Sequence, residues 1–251
     1  MLTLPIEIAN PPKQPVYPTQ IVRGLPGIKH WWTTHKEETI VGSDGKRRVR
    51  PRSGSLQLVE NAPIGYSAQT DNGKTRNPAV FPIANGGDYY TADVALAPGW
   101  TSILSVQKRT PGQLAGEIWS IQVNAAVMLF LTPARTTTGG GAALWVDGGA
   151  QLNGAPVLHD NIFVSLVAFD TVSGQAKRMV NLATVETATL TELTGAAPTA
   201  TSRLNFGAKI TSQKYGGWGY ELGVFSGDLT ANPDAIASIK TYLNALYGMT
   251  W

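Results

Sequence analysis

The chain has 251 residues, 43% hydrophobic and 15% charged, with a net charge of +3, three histidines and no cysteine. The apolar fraction is enough for a substantial core and excludes a disordered polymer. The lack of cysteine excludes disulfides, thiolate catalysis and Cys-ligated zinc, and the weak positive charge does not by itself point to nucleic acid.

Residues 1–28 carry Pro5, Pro11, Pro12, Pro15, Pro18 and Pro26. Proline at that density disfavours burial and favours extended or polyproline geometry. The expectation is an N-terminal arm over 1–28 with Pro11, Pro12 and Pro15 as partner-docking candidates, followed by one domain over 29–251. Residues 1–7 show no basic n-region, long apolar core or small-residue cleavage site, so no signal peptide is expected. The longest apolar run, 125–131, is too short to span a bilayer, and no membrane association is expected.

Strand-like text begins at 28–34 (Ile-Lys-His-Trp-Trp-Thr-Thr), turns at 42–45 and resumes at 56–59. Further strands are expected over 89–96, 101–107, 117–123, 126–131 and 143–146. Residues 161–170 are the most strongly β-forming of all and lead through Ser173-Gly174 into 178–182 as a hairpin. Residues 184–201, rich in Thr and Ala, are ambiguous. From 203 on the text reads strand, the turn Lys214-Tyr-Gly-Gly-Trp-Gly219, a strand over 220–225, and a helix over 233–247. Asn232 is the N-cap, Pro233 the first helical residue, Asp234 the first-turn acid and Gly248 the C-terminal stop. Ile236, Ile239, Leu243 and Leu246 form its apolar stripe. About a dozen short strands with frequent Gly and Pro, and no internal repeat, imply an all-β, two-sheet antiparallel sandwich with one amphipathic C-terminal helix.

The order of the 161–170 strand, the Gly174 turn, Leu204-Asn-Phe-Gly-Ala208, Gly219-Tyr-Glu-Leu-Gly-Val-Phe225 and the closing Tyr242-Leu-Asn-Ala-Leu-Tyr-Gly248 resembles the concanavalin A-like lectin/glucanase superfamily. Within it the pattern is most similar to laminin-G-like jelly-roll domains of bacteria and their phages. The match covers 160–251 well and the rest by strand count. The resemblance implies a concanavalin A-like jelly roll with its terminal helix packed beside the sandwich. Glucanases of that superfamily carry a catalytic strand like Glu-Ile-Asp-Ile-x-Glu, and a retaining glycosidase needs two carboxylates. Here Gly116-Glu-Ile-Trp-Ser-Ile-Gln122 places Trp119 at the middle acid and an amide at Gln122. A lone Glu117 cannot perform that reaction, so no catalytic residue and no enzyme is expected.

Two surfaces are binding candidates. Residues 44–52 hold Lys46, Arg47, Arg48, Arg50 and Arg52, a solvated hairpin or a docking patch for an acidic partner or anionic surface polymer. Aromatic or polar readers of nucleic acid are missing beside it, so none is expected. The Gly-rich turn offers Tyr215 and Trp218, with Tyr220, Gln213 and Asp228 nearby, as a glycan-binding platform; the structural reading has Trp218 capping the sandwich edge. No histidine spacing suits a metal. Asp71-Asn72-Gly73 and Asp88 read as Asx-Gly turns, with a calcium site as the alternative and no cofactor expected. A lectin-like fold without a signal peptide, joined to a proline-rich arm, makes a non-enzymatic phage virion protein the first expectation. It would be a capsid decoration, tail or fibre component, homo-oligomeric (a trimer for instance) and contacting other virion proteins. A carbohydrate-binding module or adhesin for bacterial surface glycans is the alternative.

Overall fold

Ile103 and Leu104, neighbours on one strand, face different cores: Ile103 points into the space between two sheets and Leu104 toward a layer of helices. In the computed structural model, which describes residues 18–61, 64–81, 90–110, 117–132, 143–147, 149, 151–152, 161–209, 212–214 and 216–251, that strand is Trp100–Arg109. It pairs antiparallel with Phe163–Asp170 on one side and Gly217–Ser226 on the other. All eight positions of Phe163–Asp170 are buried, which explains its unbroken apolar text: both faces of this sheet are covered.

Among the described residues the first sheet runs Val185–Thr189, Gln175–Val180, Phe163–Asp170, Trp100–Arg109, Gly217–Ser226, Ile28–Thr33, Pro51–Ser53, with Ala79–Phe81 and Gly65–Tyr66 branching off Gly217–Ser226. The second runs Gln151–Leu152, Ala143–Val146, Met128–Thr132, Trp119–Gln122, Ser202–Phe206, Tyr90–Val94, Leu58–Glu60, Arg47–Val49, Thr39–Val41. Trp32, Ile103, Trp119, Ile121, Leu129, Phe169, Leu204 and Leu222 fill the space between the sheets. The ambiguous 184–201 stretch supplies the edge strand Val185–Thr189. This is the expected two-sheet antiparallel sandwich with its terminal helix.

The helix Pro233–Tyr247 begins and ends as its residues dictate. Asn232 accepts the Ala235 amide at 2.9 Å through Oδ1, and Gly248 takes the left-handed conformation (φ 63°) with its amide on Asn244 O. Its buried face is Ala235, Ile236, Ile239, Tyr242, Leu243 and Tyr247. Leu246, expected in the stripe, is half-buried, and two tyrosines share the packing instead. No helix among the described residues is long and apolar enough to cross a membrane.

Of the expected arm over 1–28, residues 18–28 are described and pack on the domain. Pro18–Arg23 is helical, with proline at the start where a missing N–H costs nothing. Val22 and Leu25 are buried in the helix-side core, so a small apolar face outweighs the weak propensity of so short a helix. Gly27 joins it to the first strand at φ 68°, where a Cβ would lie 2.1 Å from Ser226 O. Pro11, Pro12 and Pro15 lie outside the described residues.

A bulge interrupts the pairing of Trp100–Arg109 with Gly217–Ser226. Val106 pairs with Glu221 but Gln107 pairs with Gly219, so Tyr220 is an extra residue on its strand. Tyr220 and Glu221 therefore both face the helices, and the alternation expected over 220–225 is broken there.

Candidate functional site

The basic run does not form one patch. Strand alternation sends successive side chains to opposite faces, so the five cations disperse. Arg48 forks onto Asp44, with Nη1–Oδ1 and Nη2–Oδ2 both 2.7 Å, and the guanidinium holds the Asp44 carboxyl well below the usual range. Arg52 turns inward, 2.7 Å from Glu38 through Nη2. Lys46 and Arg50 stay exposed in solvent. Arg47 enters a cleft.

That cleft, of about 500 Å³, is lined by Lys36, Arg47, Ile64, Gly65, Tyr66 and Asn77. It draws on both sheets, through Arg47 from the second and Gly65 and Tyr66 from the first. Arg47 is held at three points. Its backbone amide donates to Glu60 Oε1 at 2.7 Å, its Nη1 donates to Ile64 O, and its guanidinium lies 5.6 Å from the Tyr66 ring centroid. Glu60 accepts the Ile64 amide as well, at 3.2 Å, so one buried carboxylate pins both walls. Tyr66 is fixed by its hydroxyl, 2.9 Å from Thr39 Oγ1 and 2.7 Å from Tyr90 OH. Lys36 lies beside Asn77 through a backbone bond of 3.0 Å, and Asn77 gives Nδ2 to Glu37, which leaves its carbonyl oxygen available. Among the described residues neither Lys36 nor Arg47 has a carboxylate partner at salt-bridge distance. Arg47 is the one sequence candidate at this place. Lys36, Tyr66 and Asn77 carry no motif and lie in a 3-10 turn, a two-residue strand and a connection, so only the fold reveals them.

The expected glycan platform is not assembled. Trp218 stands in the strand Gly217–Ser226 rather than in a turn, because Gly217 and Gly219 are strand residues turned toward the core. A Cβ on Gly219 would lie 2.5 Å from Phe81 and 2.7 Å from Phe206, so this glycine admits two aromatic rings rather than shaping a loop. Trp218 is half-buried against the helix-side core with Lys108 Nζ 5.7 Å from its ring. Tyr220 is fully buried and donates to Asp71 Oδ2 at 2.6 Å, so it presents nothing to a sugar. Asp228 lies past the far end of that ten-residue strand, about 30 Å away at strand rise. There it takes Lys177 at 2.6 Å and caps Thr230. Tyr215 and the side chain of Gln213 lie outside the described residues, as does Asp88. Asp71, the other calcium candidate, is committed to Lys108 at 2.8 Å and to Tyr220. Glu117 is buried, and Trp119, where the glucanase pattern has an acid, is a core residue.

A second polar cluster is wholly internal. Glu221, fully buried, accepts from Trp31 Nε1 at 2.7 Å, Thr33 Oγ1 at 2.8 Å, Tyr242 OH at 3.1 Å and Tyr247 OH. Burial pushes its carboxyl above the usual range, against the pull of Arg52 and these hydrogen bonds. The same burial, reinforced by Glu221, raises Tyr242 and Tyr247 well above theirs. Nothing from solvent reaches this cluster, and it serves to fasten the helix.

No family model and no curated protein matches the chain. In fold it is similar to domain 4 of AbnA, a GH43 extracellular arabinanase from Geobacillus stearothermophilus solved with arabinotriose, at TM-score 0.57 and 14% identity over 86% of this chain and 98% of that one. An arabinofuranosidase complexed with arabinofuranosyl-α-1,2-xylobiose aligns at TM-score 0.61 and 14% identity, over 92% of this chain and 65% of the enzyme. Trypanosoma rangeli sialidase with the inhibitor DANA aligns at 0.58 and 9% identity, over 86% of this chain but only 33% of that enzyme. At such identities the likeness is one of fold: a two-sheet β-sandwich of a kind that also occurs within larger glycosidases.

Proposed function

We propose that the protein is a non-catalytic carbohydrate-binding domain and that the cleft of Lys36, Arg47, Tyr66 and Asn77 is its binding site. The observation that carries this reading is Arg47, fixed by Ile64 O and Tyr66 yet without a carboxylate partner, so that its remaining N–H groups are aimed and unspent. A ring, an amide oxygen and cationic donors converging on about 500 Å³ match what a sugar presents, namely C–H faces and hydroxyls. The fold neighbours support the class, since the arabinanase domain was solved with arabinotriose. The non-catalytic part rests on buried Glu117 and on Trp119 in place of an acid. The virion location, oligomeric assembly and partner docking expected from the sequence have no structural observation behind them. Glycan recognition, the alternative on sequence grounds, therefore takes precedence over them.

Titration calorimetry against a panel of neutral and acidic oligosaccharides tests the reading with wild type, Asn77→Ala, Tyr66→Ala and Trp218→Ala. Wild type and Trp218→Ala bind, and the two cleft variants lose most of the heat while keeping wild-type circular dichroism. Silence from wild type across the panel at millimolar sugar sinks the proposal.

A further inference from the structure

We infer that the cleft selects carboxylated saccharides, those bearing a uronic-acid or nonulosonic-acid residue, over neutral ones; the inference rests on the cleft being the sugar site. Two cations line it, Lys36 and Arg47, and neither is neutralised by an ion pair among the described residues. The carboxylates nearby are already occupied. Glu60 is buried and turns both oxygens onto the backbone amides of Arg47 and Ile64. Glu37 is tied at the rim to Asn77 Nδ2 at 2.7 Å. By contrast Arg48 and Arg52, from the same basic run, have carboxylates of their own at 2.7 Å. Lys36 and Arg47 thus reach the cleft without an ion pair among the described residues, Glu37 acting on Lys36 only at longer range.

The geometry points to an acid gripped through two oxygens. With Nη1 committed to Ile64 O and the guanidinium carbon 5.6 Å from the Tyr66 ring centroid, the Nε–Nη2 edge of Arg47 remains as a two-donor fork. Such a fork takes two oxygens of one anion, and on an oligosaccharide a uronic- or nonulosonic-acid carboxylate presents them. Lys36, an exposed point charge on the same cleft, adds attraction without directional demand. Asn77 Oδ1 and the Tyr66 ring then meet the hydroxyls and the apolar face of the same sugar.

Calorimetry with four probes separates the outcomes: a galacturonic-acid oligomer, N-acetylneuraminic acid, a sulfated oligosaccharide and neutral arabinotriose. Wild type is expected to prefer one or both carboxylated probes, with Arg47→Gln weakening that binding roughly 10- to 100-fold and Lys36→Gln less, as loss of a charge-assisted bond implies. About 1 M salt, where screening is nearly complete beyond 3 Å or so, erases most of the preference. Melting temperatures of the two variants verify folding. Equal affinity for arabinotriose and the acidic probes overturns the inference but leaves the binding site standing. A sulfated probe that outbinds both carboxylated ones overturns the assignment to carboxylates. Acid preference that survives both substitutions puts the acid site elsewhere and also overturns it. Binding of no probe at all removes the underlying function.

Discussion

Tyr247, in the last turn of the C-terminal helix, donates its hydroxyl to Glu221, the residue beside the bulge on an interior strand of the first sheet. Four donors from two elements, the first strand and the terminal helix, converge on that one carboxylate, two on each oxygen. Alternation with Leu222 and the pairing with Val106 put Glu221 on the helix side, and the bulge adds Tyr220 to the same side. A buried acid is costly alone, and here it is satisfied by Trp31, Thr33, Tyr242 and Tyr247 together.

Replacing Glu221 by glutamine is therefore a severe change despite its small size. The amide supplies one acceptor oxygen and turns an NH2 toward two of the four donors. We expect a loss of about 2–4 kcal/mol in urea denaturation, and about 1–2 kcal/mol for Tyr247→Phe, which removes one bond. Wild-type stability in both variants would show that the cluster does not fasten the helix.

His35 stacks edge-on against Tyr220 and Tyr247, and its Nε2 lies 3.2 Å from Tyr247 OH. The single tyrosine proton goes to Glu221, so Nε2 is the donor in that pair. Burial first, then the positive charge of Arg52, lowers its pKa from 6.5 to about 4, with Glu37 opposing and Arg76 adding to the effect. A depressed folded value means the stabilisation is present above pH 6.5 and lost as pH falls through about 4. Glu221, raised on folding, acts in the opposite sense and regains stability on acidification. The comparison is thus wild type against His35→Gln, each melted across that window. Wild type should lose up to about 3 kcal/mol relative to the variant. Parallel pH curves would show that His35 titrates normally.

Leu243 is fully buried on the helix face that covers the first sheet. An aspartate there is an uncompensated charge, and Leu243→Asp should cost about 3–5 kcal/mol in a chemical melt. The exposed Ala245→Asp is the control; if both lower the midpoint alike, the helix is only loosely docked.

Leu182 holds a left-handed backbone at φ 52°, rare for a bulky residue, beside Asn181 at φ 50°. The strain is of order 1–2 kcal/mol, whereas burying the side chain at 1% exposure contributes about 1.5–3 kcal/mol before any cavity effect. Burial wins, so Leu182→Gly should destabilise by about 1–3 kcal/mol although it relieves the backbone. A stabilised variant would mean that strain dominates.

The parts of this protein that local chemistry dictates are legible along the chain. Asn232, Pro233 and Gly248 mark a helix because capping depends on a few adjacent residues, and its bounds of 233 and 247 follow from them. The run 161–170 announces a strand buried on both faces because no polar residue interrupts its apolar pattern for long. The glycines of 216–219 misled for the same reason: glycine marks either a turn or a close approach, and only Phe81 and Phe206, distant in sequence, show which.

By itself, then, the sequence determined an all-β sandwich closed by one amphipathic helix, since periodicity and caps are local and additive. The tertiary structure decided everything that depends on which strands meet. It parted Asp228 from Trp218 and Tyr220, buried Glu221 under the terminal helix, paired Arg48 and Arg52 with acids, and brought Lys36, Arg47, Tyr66 and Asn77 around one cleft. Arg47 and Tyr66 come from short strands of different sheets, Lys36 from the 3-10 turn Lys36–Glu38 and Asn77 from the connection before Ala79–Phe81. Their meeting is fixed by strand pairing, a non-local choice that no spacing along the chain encodes.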